Sequence, residues 1–86
     1  MNKYLQVPDS IIDLHGYTTA EARDILDDVL GGDDKHIRII TGKGKHSENG
    51  PVLRDFVKNY LDSRRVRFNQ SKIQDGGEGS LEVFLN

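Results

Sequence analysis

The run Ile11-Ile12-Asp13-Leu14-His15-Gly16, followed at once by Tyr17-Thr18-Thr19-Ala20-Glu21-Ala22, reads as a strand that turns directly into a helix. Ile11 to Leu14 is rich in β-forming residues, and Gly16 stops the run after about four positions. Thr18 is a good helix N-cap because its hydroxyl can accept from the backbone N–H three residues on. Glu21, at that third position, completes a capping box. Ala22, Ile25, Leu26, Val29 and Leu30 then recur at helical spacing and give one apolar face, and Gly31-Gly32 closes the element.

Downstream the same pattern repeats. His36 to Thr41 reads as a second strand, closed by the glycine-rich stretch that opens at Gly42, and a loop of about nine residues follows. Asn49-Gly50-Pro51 puts proline near the first helical position, and Leu53, Phe56, Val57, Tyr60 and Leu61 form an apolar stripe that runs out near Arg64. Val66 to Gln70 reads as a third strand and Asp75-Gly76-Gly77-Glu78-Gly79 as a hairpin connection. Leu81, Val83 and Leu85 alternate as a fourth strand. The order is β-α-β-α-β-β. Two successive β-α-β crossovers predict that the first three strands run parallel on right-handed connections. The fold class expected is α/β, an α+β two-layer sandwich of two helices on a mixed four-stranded sheet. Glu82 lies opposite the Leu81 and Val83 face, which predicts a sheet with one covered and one wet side. Residues 1–10 read as an N-terminal tail and 11–86 as one domain.

Eighty-six residues support a single compact core. No segment approaches the roughly 18 apolar residues of a membrane helix, and residues 1–10 lack the apolar run of a secretory signal, so a cytoplasmic location and a monomeric domain without membrane contact are expected. The absence of cysteine excludes a disulfide framework, a thiolate nucleophile and cysteine-held zinc, leaving His, Asp, Glu, Ser, Lys and Arg for chemistry. The net charge of -2 hides an uneven distribution. Between Lys43 and Lys72 eight basic residues stand against three acidic ones, whereas the rest of the chain carries four basic and eleven acidic. Such polarity suits a nucleic-acid face on an acidic body, and it equally suits a solvated helix followed by an ordinary basic strand.

Residues i and i+2 of a strand point the same way, so Asp13 and His15 face outward together while Ile12 and Leu14 turn to the core. His15 ends the first strand and Gly42-Lys43-Gly44 ends the second, at the carboxyl edge where open α/β sheets bind ligands. An imidazole that moves protons near neutral pH, a carboxylate to orient it and a basic glycine loop to hold charge are suitable parts for phosphodiester cleavage. The same residues also suit a hydrogen-bonded strand end and a plain turn. The glycine pattern matches neither a P-loop nor a dinucleotide fingerprint, so both cofactor readings are set aside.

These residues resemble the Smr (small MutS-related) domain family. The family's L-D-L-H-G motif appears as Ile12-Asp13-Leu14-His15-Gly16, and its T/H-G-x-G turn appears as Thr41-Gly42-Lys43-Gly44-Lys45-His46-Ser47. The Asn49-Gly50-x-x-Leu53-Arg54 helix start and Gly76-Gly77-Glu78-Gly79-Ser80 are also similar, so the likeness is close to full length. It implies a sandwich like the C-terminal domain of translation initiation factor three. It further implies nucleic-acid binding and, in several members, endonuclease activity, in DNA repair and recombination or in RNA and ribosome quality control. Asp13 and His15 carry over as the catalytic pair and Lys43 as a charge stabiliser. Gly42, Gly44, Lys45, His46, Ser47 and Arg54 carry over as substrate contacts. Many members have arginine at the position of Lys43, and the lysine loses bidentate phosphate recognition.

The leading expectation is therefore an endonuclease acting on DNA or RNA; the alternative is a non-catalytic module that grips nucleic acid or the ribosome. A scaffold for a protein partner is least favoured, because docking the helices leaves no large apolar stripe. Cofactor use is left open. One Asp and one His make a poor Mg2+ or Mn2+ site without substrate phosphates, and cleavage through an RNA 2′-hydroxyl needs no metal.

Overall fold

The computed structural model describes residues 7–42 and 50–85. The elements are β1 (Ser10–Asp13), α1 (Thr19–Leu30), β2 (His36–Ile40), α2 (Gly50–Ser63), β3 (Arg67–Gln70) and β4 (Ser80–Phe84), with two 3₁₀ turns, Ile73–Asp75 and Gly77–Gly79, between the last two strands.

The capping box forms as read. The Glu21 N–H donates to Thr18 Oγ1 at 3.1 Å, and the Thr18 N–H donates back to Glu21 Oε1 at 2.9 Å. Two of the orphan donors at the start of α1 are thereby satisfied. At the far end of α2 the chain leaves through Arg65, the one described non-glycine residue in the left-handed region, at φ 58°. The Val66 N–H reaches Leu61 O at 3.0 Å and the Arg65 N–H reaches Asp62 O at 3.0 Å, which satisfies the last turn's carbonyls in the manner that usually recruits glycine.

The sheet order is β1-β2-β4-β3. β1 and β2 are parallel, and β4 lies antiparallel to both β2 and β3. The first three strands thus run in one direction, but β3 does not neighbour β2. The second crossover skips a position, and β4 fills the gap. Leu14, Ile37, Ile39, Leu81 and Val83 from the sheet join Ala22 and Leu26 from α1 and Leu53, Val57, Tyr60 and Leu61 from α2 in one buried cluster, so both helices cover the same face. The α1 and α2 ends are tied there by the Tyr60 hydroxyl, which donates to Asp27, and by Arg64, which pairs with Asp27 at 3.0 Å.

The second face departs from expectation. Strand alternation puts Glu82 on the wet side, yet it is 0% exposed. His36 Nε2 lies 2.5 Å from Oε1, and Oε2 accepts from Arg38 Nε at 2.7 Å and from Ser71 Oγ at 2.5 Å. Phe84, stacked on His36 with ring centroids 5.0 Å apart and carrying the Arg67 guanidinium on its ring, walls one side of the network. Burial alone would raise the pKa of this carboxyl. The hydrogen bonds from Ser71, Arg38 and His36, with the charge of Arg38, outweigh it and hold the pKa below the ordinary 4.5. Strand alternation foretold the face of Glu82 correctly; what it could not foretell is that neighbouring polar side chains would cover that face.

Candidate functional site

β1 ends at Asp13 and delivers Asp13 and His15 to the open face. The His15 backbone N–H donates to Asp13 Oδ1 at 3.1 Å, and the ring Nδ1 lies 2.6 Å from the same oxygen. Both contacts favour the ionised carboxylate, so Asp13 titrates below its ordinary 3.8, the ring contact contributing most and the backbone contact next. An ionised carboxylate can only accept, so Nδ1 carries the proton and Nε2 of the neutral ring keeps its lone pair. The pair is open to solvent, with His15 71% and Asp13 50% exposed. Their partners in the fold are firm: Leu14, between them, is wholly buried and its N–H donates to Ile40 O at 2.7 Å.

The end of β2 comes to the same place. Gly42 has φ +80°, and a Cβ built there would stand 3.6 Å from the Cβ of His15. Glycine meets the left-handed conformation without strain where the chain passes the His15 side chain at its Cβ. The N–H groups of Thr41 and Gly42 both donate to Gly79 O, at 2.9 and 3.0 Å. The Gly42 amide is thereby committed within the protein, and its contribution is conformational. Lys43, Gly44, Lys45, His46 and Ser47 lie outside the described residues.

Arg54 sits in the second turn of α2, half-buried, and its buried Nε has no hydrogen-bond partner among the described residues. Two described arginines of the basic segment are engaged within the protein. Arg64 is held by Asp27 and lies over the Tyr60 ring, and Arg67 lies over Phe84. A depression on α1 lined by Asp24, Ile25, Asp27, Asp28 and Val29 is acidic and would repel a polyanion. Among the described residues no group of three or more His, Asp or Glu side chains could hold a metal ion. The Asp13–His15 pair, already committed to each other, fits a metal poorly on its own.

The role of Gly79 escaped sequence reasoning. Gly76, Gly77 and Gly79 form the hairpin connection that their composition announces, but the carbonyl that anchors Thr41 and Gly42 is a backbone group and carries no side-chain signal.

A family model for the Smr domain matches residues 12–86. The chain is 39% identical over 86 residues to an uncharacterised protein of Treponema pallidum (strain Nichols), covering 92% of this chain and 42% of that protein. It is 33% identical over 89 residues to NEDD4-binding protein 2 of Homo sapiens, covering 92% of this chain and 5% of that protein. It therefore spans less than half the length of either relative. The fold is similar to the crystal structure of the Smr domain of Thermus thermophilus MutS2, with a TM-score of 0.73 and 29% identity over 90% of this chain and 98% of that one. The first motif, the sheet that sets Thr41 and Gly42 beside it and the family match over residues 12–86 have one reading: the chain belongs to the Smr domain family.

Proposed function

We propose that this domain binds nucleic acid and cleaves its phosphodiester backbone, with His15 as the proton-transfer group and Asp13 as its orienter. The observation that carries the reading is the Nδ1 to Oδ1 contact of 2.6 Å, which leaves Nε2 as an exposed base. Membership in the Smr family, whose domains are nucleic-acid-binding modules, supplies the substrate class.

His15 Nε2 would remove the proton from the attacking oxygen and then return one to the leaving oxygen, while Asp13 holds the ring orientation and stabilises the imidazolium formed between the two transfers. Lys43, next to Gly42 in sequence, is the charge stabiliser in this scheme, and Arg54 is a candidate phosphate contact. No step requires a metal. If the attacking oxygen is an RNA 2′-hydroxyl, the product is a cyclic phosphate; if it is water, the strand ends in a linear phosphate.

Purified wild-type protein, His15→Ala and Asp13→Asn should be compared on supercoiled plasmid and on structured RNA, with and without EDTA, and the product ends identified. The reading predicts cleavage by the wild type that falls roughly 100-fold or more in His15→Ala. Equal cleavage by all three proteins would place the activity elsewhere. A second reading, binding without cleavage, is favoured by how openly the pair stands at the surface. It predicts salt-sensitive binding with intact substrate in every sample.

A further inference from the structure

The face of the sheet away from the helices carries a chain of contacts that begins at the buried Glu82 and ends at the candidate site. From the centre of β4, its carboxylate takes Arg38 from β2 and Ser71 from the residue that follows β3. Arg38 extends a second nitrogen to Asp75 at 3.6 Å, in the first 3₁₀ turn. Ser71 Oγ, having donated to Glu82, is placed to accept from Ser80 Oγ at 2.9 Å. The connection between β3 and β4 is thus tied to the sheet at its start, its middle and its end.

Little slack remains inside it. The Gly77 N–H donates to Lys72 O at 3.0 Å and the Gly79 N–H to Gly76 O at 3.1 Å. Gly76, at φ +120°, has Ser80 Cβ only 2.7 Å from where its own Cβ would stand, so the turn packs directly against the first residue of β4. The carbonyl that this turn presents is Gly79 O, the acceptor for both the Thr41 and Gly42 N–H groups. Gly42 in turn lies against His15.

We propose that Glu82 is a positioning residue for the Asp13–His15 site: with Arg38 and Ser71 it fixes the 71–80 connection, whose Gly79 carbonyl holds Thr41 and Gly42 beside His15. This rests on the reading of the pair as a cleavage site. The physical requirement is modest, because a displacement of about 1 Å at a reacting group can cost around 100-fold in rate. A carboxylate fully withdrawn from water and hydrogen-bonded on both oxygens has one firm arrangement, and a turn tied to it inherits that firmness.

The test uses the full chain as Glu82→Gln and as Ser71→Ala, the second keeping the experiment decisive if the first fails to fold. Tyr60→Phe serves as a control that loses a hydrogen bond on the opposite face. Amide hydrogen exchange should show Thr41 and Gly42 accelerated at least roughly 10-fold more than the β1–β2 ladder amides in the Ser71 or Glu82 variant. Cleavage should lose kcat, again by about 10-fold, with KM held, and Ser71→Thr should restore it. Tyr60→Phe should change neither quantity. Uniform acceleration of all sheet amides, or unchanged Thr41 and Gly42, would overturn the proposal. Should the wild type fail to cleave any substrate, the cleavage reading falls separately, and the exchange of Thr41 and Gly42 still decides whether Glu82 positions this edge.

Discussion

Leu81 and Glu82 are neighbours on one strand, both essentially removed from water, and opposite in the physics that keeps them there. Leu81 faces two helices and is held by apolar burial, which has no geometry to satisfy beyond fit. Glu82 faces the other way and is held by partners on both oxygens, and losing any one leaves a buried polar group short of a hydrogen bond. The helix side of the sheet makes the domain stable. The network side gives the sheet's second surface a single arrangement, and the candidate site stands at its edge.

The largest expected effects compare these two residues directly. Leu81→Ala should cost about 3 kcal/mol by denaturant unfolding, from lost transfer energy and the cavity left behind. Glu82→Ala should cost a similar amount, about 3 kcal/mol at neutral pH, because Arg38 and His36 lose their buried partner. The pH dependence separates them. The Glu82 carboxyl titrates below its unfolded value of 4.5, so its contribution is complete above that pH and is lost as the pH falls through the lower folded-state value. The cost of Glu82→Ala should therefore shrink on acidification while that of Leu81→Ala stays level. A Glu82→Ala cost that does not change with pH would break the comparison.

A smaller effect is expected on the helix side at alkaline pH. Burial first, and the hydrogen bond to Asp27 second, push the Tyr60 hydroxyl from 10.0 up to about 12. A raised folded-state value means that the contribution is present below pH 10 and is lost as the pH climbs toward 12. Tyr60→Phe should flatten that limb of the stability profile and leave the acid limb unchanged. The smallest effect lies outside both faces. Arg65→Gly should raise stability by about 1 kcal/mol, because it relieves a left-handed backbone that glycine adopts freely. A loss of stability there would show that the Arg65 side chain does more than its exposed position indicates.

How far the sequence could be read follows the range of the interactions. Thr18 and Glu21 announce α1 because both halves of a capping box lie within one turn, and the apolar stripes announce which helix faces are buried. Asp13 and His15 were legible as a pair because i and i+2 on an extended chain share a side. The place of β4 between β2 and β3 was not legible, since pairing of Ile37 with Val83 and of Phe68 with Val83 is a long-range choice with no local signature. Glu82 shows the same boundary: its alternation tells which face it occupies, and only the assembled sheet shows that His36, Arg38 and Ser71 meet it there. The Gly79 carbonyl is the extreme case, a contact that anchors Thr41 and Gly42 through an atom that every residue possesses.

The proposed chemistry stands on Asp13 fixing the His15 ring with Nδ1 protonated and Nε2 free to accept a proton. Long-range nitrogen–proton correlation on ring-labelled protein, at a pH where the imidazole is neutral, reads this directly. The His15 Nδ1 resonance should be that of a protonated nitrogen and the Nε2 resonance that of a bare one, and Asp13→Asn should weaken this preference. A His15 ring that carries its proton on Nε2 in the wild type would contradict that chemistry.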